Sequence, residues 1–325
     1  MASHILGYVG SISSEEYNAN KDKYDINDII GKTGIQYTLE EYLKGVDGVR
    51  QVDMSVDGTI TGEYIAEEAE AGHTVVLTID SNLQKVTEQA LEKNIKKIAN
   101  GDYGKKYNAK AGAAIVMNVK TGDILALTSY PDYEPELFIT GISQKKLEEY
   151  NKGNNYYNRA ISGIYAPGSV FKMVVATAAL ENNTITTSTT INDTGIYPRG
   201  HNPACWIYTS RHYGHGYLNV TDAIKKSCNY FFYELGYRMG IDPVIQYAKA
   251  YGLGIKTGIE LSGESSGIVD LKKQCEESTG VQWQFGDTLS AVIGQSYNSY
   301  TPIQIARYTL SLIHISEPTR PERIS

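Results

Sequence analysis

Apolar residues recur at helical spacing between Asp80 and Gly101, where Leu83, Val86, Ala90, Leu91, Ile95 and Ile98 share one face. Asp80 and Ser81 supply a start signal and Gly101 a stop, so a helix is expected across this span. The run GAAIVMNVKTGDILALTS (112–129) has a different texture: two β-rich stretches flank Lys120-Thr121-Gly122-Asp123. That pattern predicts a hairpin, and with it an antiparallel sheet. A polar loop rich in Tyr and Asn follows, and then APGSVFKMVVATAALE (166–181), which reads as a buried helix opening at Ser169. Residues 191–217 form a long excursion containing Gly, His and Tyr, after which NVTDAIKKSCNYFFYELGYRMG (219–240) and DPVIQYAKAYG (242–252) return to helical spacing. Residues 1–75 carry short strand-like pieces such as TITGEYI and one helical run, YTLEEYLKG, and read as a small α+β appendage. The expected architecture is α+β, with helices covering an antiparallel sheet. No repeat occurs at solenoid periods.

Composition narrows the partners more than the fold. The 325 residues suit one large domain plus a smaller piece, and 41% hydrophobic with 21% charged residues is ordinary for a globular chain. A net charge of −7 leaves no basic footprint, which argues against nucleic acid as a partner. The longest apolar runs are far short of a membrane span, and MASHILGYVG has neither the basic start nor the long apolar core of a secretory leader. Three scattered cysteines do not make a disulfide framework.

Ser169 raises the first chemical question. Serine is a preferred helix cap, because its oxygen accepts a free N–H of the first turn. Lys172, three residues on, projects from the same face, which otherwise reads Met173, Ala176, Ala179 and Leu180. An amine there is costly unless it is used or paired. Beside a serine, a desolvated and neutral lysine can take the hydroxyl proton and turn the oxygen into a nucleophile. Ser227-Cys228-Asn229 lies in a helical stretch and says little alone, but with Ser169-x-x-Lys172 it completes two thirds of a known triad of motifs.

APGSVFKM, KSCNYFFYELG, GLGIKTGIELSGE and IGQSYNSYTPIQIARY resemble, in order, the landmarks of a penicillin-binding transpeptidase domain. HILGYVG and IIGKTGIQYTLEEYLKGVDG are similar to the pedestal of class B penicillin-binding proteins, the monofunctional peptidoglycan transpeptidases, and GHG at 214–216 leans towards the elongation type. The resemblance implies a penicillin-binding/serine β-lactamase-like fold behind a pedestal of the dimerisation type. Expected boundaries are 1–75 for a partial pedestal, 76–309 for the transpeptidase domain and 310–325 for a tail. The implied roles are Ser169 as nucleophile as well as cap, Lys172 as base, Ser227 as proton relay and Asn229 as the anchor of Lys172 and of the substrate amide. No cofactor is implied for catalysis. Implied partners are peptidoglycan stem peptides, β-lactam antibiotics and a membrane glycan polymerase meeting the pedestal, at the extracytoplasmic face of a bacterial membrane. A serine β-lactamase, a β-lactam sensor domain and a scaffold with secondary catalysis are the rival readings. The first two do not account for the pedestal signature.

The family's third motif is a Lys-Thr/Ser-Gly strand that binds the substrate carboxylate. Lys32-Thr33-Gly34 matches the pedestal, Lys120-Thr121-Gly122 is the hairpin turn, and Lys256-Thr257-Gly258 resembles a loop that precedes the working triad. Lys32-Thr33-Gly34 is not a phosphate loop either, since Ile26 stands where that motif needs glycine. From Leu310 the sequence LSLIHISEPTRPERIS resembles a translated sequencing adapter, and the helical pattern is expected to dissolve there. On this reading the chain is truncated at both ends, its anchor and carboxylate-binding strand lie outside it, and the fragment is expected to be poorly folded and inactive. The resemblance also implies a structural zinc: Asp193, His215 and Cys228 match ligand positions of elongation-type members, and Cys205 stands where some members have Asp. The residues alone leave open a zinc site, two small buried thiols, or an oxidised pair.

Overall fold

The computed structural model describes residues 1–315, which divide into two units. The first gathers Met1–Val116, Asp123–Asn158 and Glu260–Ser262. Its longest element is helix α1 (Ser81–Asn100). The Asp80 carboxylate caps it by accepting from Leu83 N at 2.8 Å, and Gly101 ends it at φ 86°, where a side chain would be strained. Before α1 lie two antiparallel pairs, β1 (Val9–Ser11) with β2 (Ile29–Gly31) and β3 (Val49–Met54) with β4 (Ile60–Glu67). After it, β5 (Gly112–Met117) pairs with β6 (Ile124–Tyr130), and the expected hairpin is present.

Helix α1 packs on β6, and a buried amide locks the two together. Gln84 Nε2 donates to the Leu127 carbonyl at 2.9 Å, while Leu127 N donates to Gln84 Oε1 at 2.8 Å. This side chain therefore completes the backbone bonding of a strand residue that would otherwise be buried unpaired.

The second unit gathers Met117–Gly122, Arg159–Ile259 and the chain from Gly263 on. Its centre is α2 (Lys172–Glu181), which buries Val174, Val175, Ala176, Ala178 and Ala179, as expected for a helix inside a core. Val174 and Val175 are fully buried, each contributing about 1.5–3 kcal/mol. Around α2 pack α4 (Asn229–Met239) and α5 (Asp242–Ala250), preceded by α3 (Val220–Lys225). Helix α6 (Phe285–Ala291) lies against α4, and α7 (Pro302–Ile315) follows. A short antiparallel pair, β7 (Ile191–Asp193) with β8 (Gly216–Leu218), ties down both ends of the 191–217 excursion.

Three expectations are corrected. Ser169 is not a helix cap: it sits inside a 3-10 turn, Gly168–Phe171, and α2 begins only at Lys172. The stretch 219–240 is not one helix, because Ser227, at φ 49°, breaks it between α3 and α4. The helical pattern does not dissolve at Leu310: α7 runs on to Ile315, and Leu312 packs against the core. The rest of that expected tail, 316–325, lies outside the described residues.

Candidate active site

Ser169 is presented by a turn that the end of the chain clamps from several sides. Gly168 N donates to the Gly294 carbonyl at 2.9 Å, and Tyr165 and Tyr300 bond each other's backbones in both directions. The buried Tyr308 hydroxyl donates to the Val170 carbonyl at 3.1 Å, and Phe171 stacks on Tyr300. Gly294 is required by this approach: at φ 76°, a Cβ there would lie 2.0 Å from the Gly168 oxygen.

The sequence-predicted quartet converges on this turn. Ser227 Oγ donates to Ser169 Oγ at 2.8 Å. Lys172 Nζ donates to Ser227 Oγ at 3.0 Å, to the Ser227 carbonyl at 2.9 Å and to Asn229 Oδ1 at 2.6 Å. Lys172 is only 2% exposed, and burial pushes its ammonium down to about 8 from the usual 10.5. Among the described residues no carboxylate is bonded to it: its hydrogen-bond partners are neutral oxygens, and only the nearby Cys228 and Cys205 sulfurs pull its pKa the other way. The left-handed backbone at Ser227 is what turns both its hydroxyl and its carbonyl towards Nζ.

A second cluster adjoins the first through Cys228. Asp193, at the end of β7, holds His215 Nδ1 at 2.7 Å and the backbone N–H of His215 and Gly195 at 3.2 and 2.7 Å. Cys228 Sγ donates to Asp193 Oδ2 at 3.3 Å, accepts from Phe231 N at 3.4 Å as the cap of α4, and lies 3.9 Å from Cys205 Sγ. Cys205 Sγ is 3.7 Å from His215 Nδ1. All four donor atoms lie within 4.8 Å of one another. Burial pushes the Asp193 carboxyl up, but the His215 and Gly195 bonds outweigh it and hold it below the usual range. The contact between the two sulfurs lowers the Cys205 thiol to about 6 against the pull of burial, and it raises the Cys228 thiol, which burial raises further. Two sulfurs, an imidazole and a carboxylate at this spacing fit zinc in their chemistry.

The three Lys-Thr-Gly triplets do other work. Thr33 opens a short helix (Gly34–Thr38), and Lys32 pairs with Glu16. Gly122 closes the β5–β6 turn onto the Asn118 carbonyl at 2.9 Å. Thr257 gives its N–H and hydroxyl to Glu264 at 2.5 and 2.6 Å, and Gly258 N does the same at 3.1 Å.

Residues 112–324 match the penicillin binding protein transpeptidase domain, and residues 1–77 match the penicillin-binding protein dimerisation domain. The chain belongs to the penicillin-binding protein transpeptidase family. Peptidoglycan D,D-transpeptidase MrdA of Acinetobacter baumannii is 33% identical over 312 residues, which is 94% of this chain and 44% of that protein. This penicillin-binding protein thus spans under half the length of that relative. Among solved structures, one of a peptidoglycan synthase complex matches at TM-score 0.82 and 30% identity, covering 96% of this chain and 53% of that one. The complex of PBP2 with MreC from Helicobacter pylori contains a chain that matches at TM-score 0.79 and 29% identity, covering 98% of this chain and 58% of that one.

Some residues that shape the site of this penicillin-binding protein escape sequence reasoning. Tyr233, buried one helical turn after Asn229, hydrogen-bonds it, and its hydroxyl is pushed up to about 12 mainly by burial. The i,i+4 spacing on a helix was the available signal. Gly294, Tyr300 and Tyr308 fall in the landmark IGQSYNSYTPIQIARY, which marks the segment but not their roles, since the turn residues they hold lie more than a hundred positions away.

Proposed function

We propose that this chain carries the acylating centre of a peptidoglycan D,D-transpeptidase, with Ser169 as its nucleophile. The observation that carries the reading is the hydrogen-bonded line from Ser169 Oγ through Ser227 Oγ to the buried Lys172 Nζ, anchored by Asn229. With Lys172 charged, the line runs outward from the ammonium to Ser169. With Lys172 neutral it reverses, and Ser169 can pass its proton through Ser227 to the amine. Ser169 Oγ then bonds the penultimate D-Ala carbonyl carbon of a stem peptide, and the Ser169 N–H stabilises the developing oxyanion. The C–N bond to the terminal D-Ala breaks as Lys172 returns the proton through Ser227 to the leaving amine. An amine of a second stem peptide repeats the sequence in reverse, releasing Ser169 and leaving a cross-link. β-Lactams acylate Ser169 in the same way but leave it blocked. Asn229 holds Lys172 and the substrate amide.

Transpeptidation of this kind needs no cofactor. Asp193, Cys205, His215 and Cys228 would hold a structural zinc, whose contribution is to cross-link β7 and the 191–217 excursion to the start of α4. The pedestal, residues 1–75, is proposed to meet a membrane glycan polymerase at the extracytoplasmic face, with residues 76–309 acting as the transpeptidase domain. The solved complexes of similar chains, one with MreC and one a peptidoglycan synthase, support that arrangement. No helix among the described residues is long and apolar enough to cross a membrane.

The test is incubation with a labelled penicillin, followed by peptide mapping, of a protein extended through a Lys-Thr/Ser-Gly strand, with the chain as it stands, expected to be inactive, run beside it. Label on Ser169 that persists for hours is expected, and in a separate reaction the acyl group of a stem-peptide donor is expected to pass through Ser169 to an acceptor amine with release of D-Ala. Label that survives Ser169→Ala would overturn the nucleophile assignment. Fast hydrolysis would instead make the protein a β-lactamase, and persistence without transfer a sensor.

A further inference from the structure

Cys205 and Cys228 have sulfurs 3.9 Å apart, both fully buried, and both belong to the four-donor cluster. A disulfide needs about 2.05 Å between sulfurs, so rotation about the two Cα–Cβ bonds with a small backbone adjustment has to close under 2 Å. Cys228 is also the residue between Ser227 and Asn229, and its sulfur caps α4. Any change in its bonding is therefore felt next to the proton relay.

We propose that this pair is a redox modification site whose oxidation and metal binding exclude each other. This inference rests on the zinc reading above only for the protection it assigns to the metal. A metal ion engages both sulfurs and holds the 191–217 excursion shut over them. Without metal, opening of that excursion admits a small oxidant, taken here as hydrogen peroxide. One thiolate attacks a peroxide oxygen, the O–O bond breaks, and a sulfenic acid and hydroxide form. The second thiolate attacks the sulfenic sulfur, the S–O bond breaks, hydroxide leaves and the Cys205–Cys228 bond forms. The two thiols lose two protons and two electrons, and the peroxide becomes two waters. The product staples the same loop that the metal did, but with two of the four donors consumed the site no longer takes a metal.

The experiment uses the chain as it stands, with its three cysteines as the count. Metal content is measured first, and half the sample is stripped with chelator. Both halves are treated with hydrogen peroxide, quenched, denatured, and titrated for thiols. The loaded half is expected to keep all three thiols. The stripped half is expected to keep one, Cys275, with a mass loss of two hydrogens and a Cys205–Cys228 peptide on mapping, and to fail to rebind zinc until reduced. Cys205→Asp, which retains a donor at that position, should keep both remaining thiols under either treatment. Three free thiols in the stripped half would overturn the proposal while leaving the zinc reading untouched. Oxidation that proceeds equally fast with metal bound would overturn the exclusion. A chain that is isolated without metal and takes up no added zinc, yet oxidises at this pair, would refute the zinc reading and its protective role, while confirming the modification site.

Discussion

Asn229→Asp is the substitution that most directly tests how Lys172 works. In the native site the amine is buried among neutral oxygens, and its pKa falls from 10.5 to about 8. At pH 7 roughly one molecule in ten then holds a neutral Lys172, against roughly one in three thousand at an ordinary lysine pKa. That gain in usable base, near 300-fold, corresponds to about 3 kcal/mol of differential stabilisation of the neutral form. Asp in place of Asn229 puts a negative charge where Oδ1 now sits, 2.6 Å from Nζ. An opposite charge at that range raises the amine by about 1–3 units. The sign is then fixed. A higher pKa leaves less neutral amine at pH 7, so penicillin acylation of Ser169 slows by about 10- to 1000-fold. The acid limb of the pH–rate profile moves from about 8 to between about 9 and 11. The assay is the second-order acylation rate from pH 6 to 10 for both proteins. A profile that drops uniformly with its midpoint unmoved would refute the reasoning, and would assign Asn229 to the substrate alone.

Three further outcomes follow from the same geometry. Ser227→Ala interrupts the line between Ser169 and Lys172, and acylation should fall by about 100- to 10,000-fold while thermal stability changes little; an unchanged acylation rate would remove Ser227 from the relay. Gly294→Ala places a methyl group 2.0 Å from the Gly168 oxygen at φ 76°, so denaturant unfolding should show a loss of about 3 kcal/mol or more, together with slower acylation. Gln84→Leu leaves the Leu127 N–H and carbonyl unpaired inside the first unit, and should cost about 2–5 kcal/mol, read as early hydrogen exchange at Leu127.

Elements whose signals are local were legible in the sequence. Asp80, the apolar stripe and Gly101 lie within one helix, and each acts on backbone three or four residues away; the β5–β6 turn is likewise closed by neighbours. The quartet Ser169, Lys172, Ser227 and Asn229 was legible as a pattern, because its two halves are short motifs. Their placement was not. A serine before an apolar helix reads as a cap, yet Gly294 and Tyr308 hold Ser169 in a tighter turn that frees its hydroxyl. A run of helix formers reads as one helix, yet Ser227 leaves it at φ 49° because its hydroxyl and carbonyl are needed at Nζ.

The sequence by itself determined which residues can do chemistry, where the regular elements start and stop, and which family the chain resembles. Only the tertiary structure decided that Lys172 is desolvated among neutral hydrogen-bond partners, that Ser169 reaches it through Ser227, and that two cysteines 23 positions apart lie 3.9 Å from each other. The physical reason is one of range. Caps, turns and periodicity act over a few residues of one chain segment, whereas burial, proton paths and sulfur proximity depend on which distant backbone packs alongside.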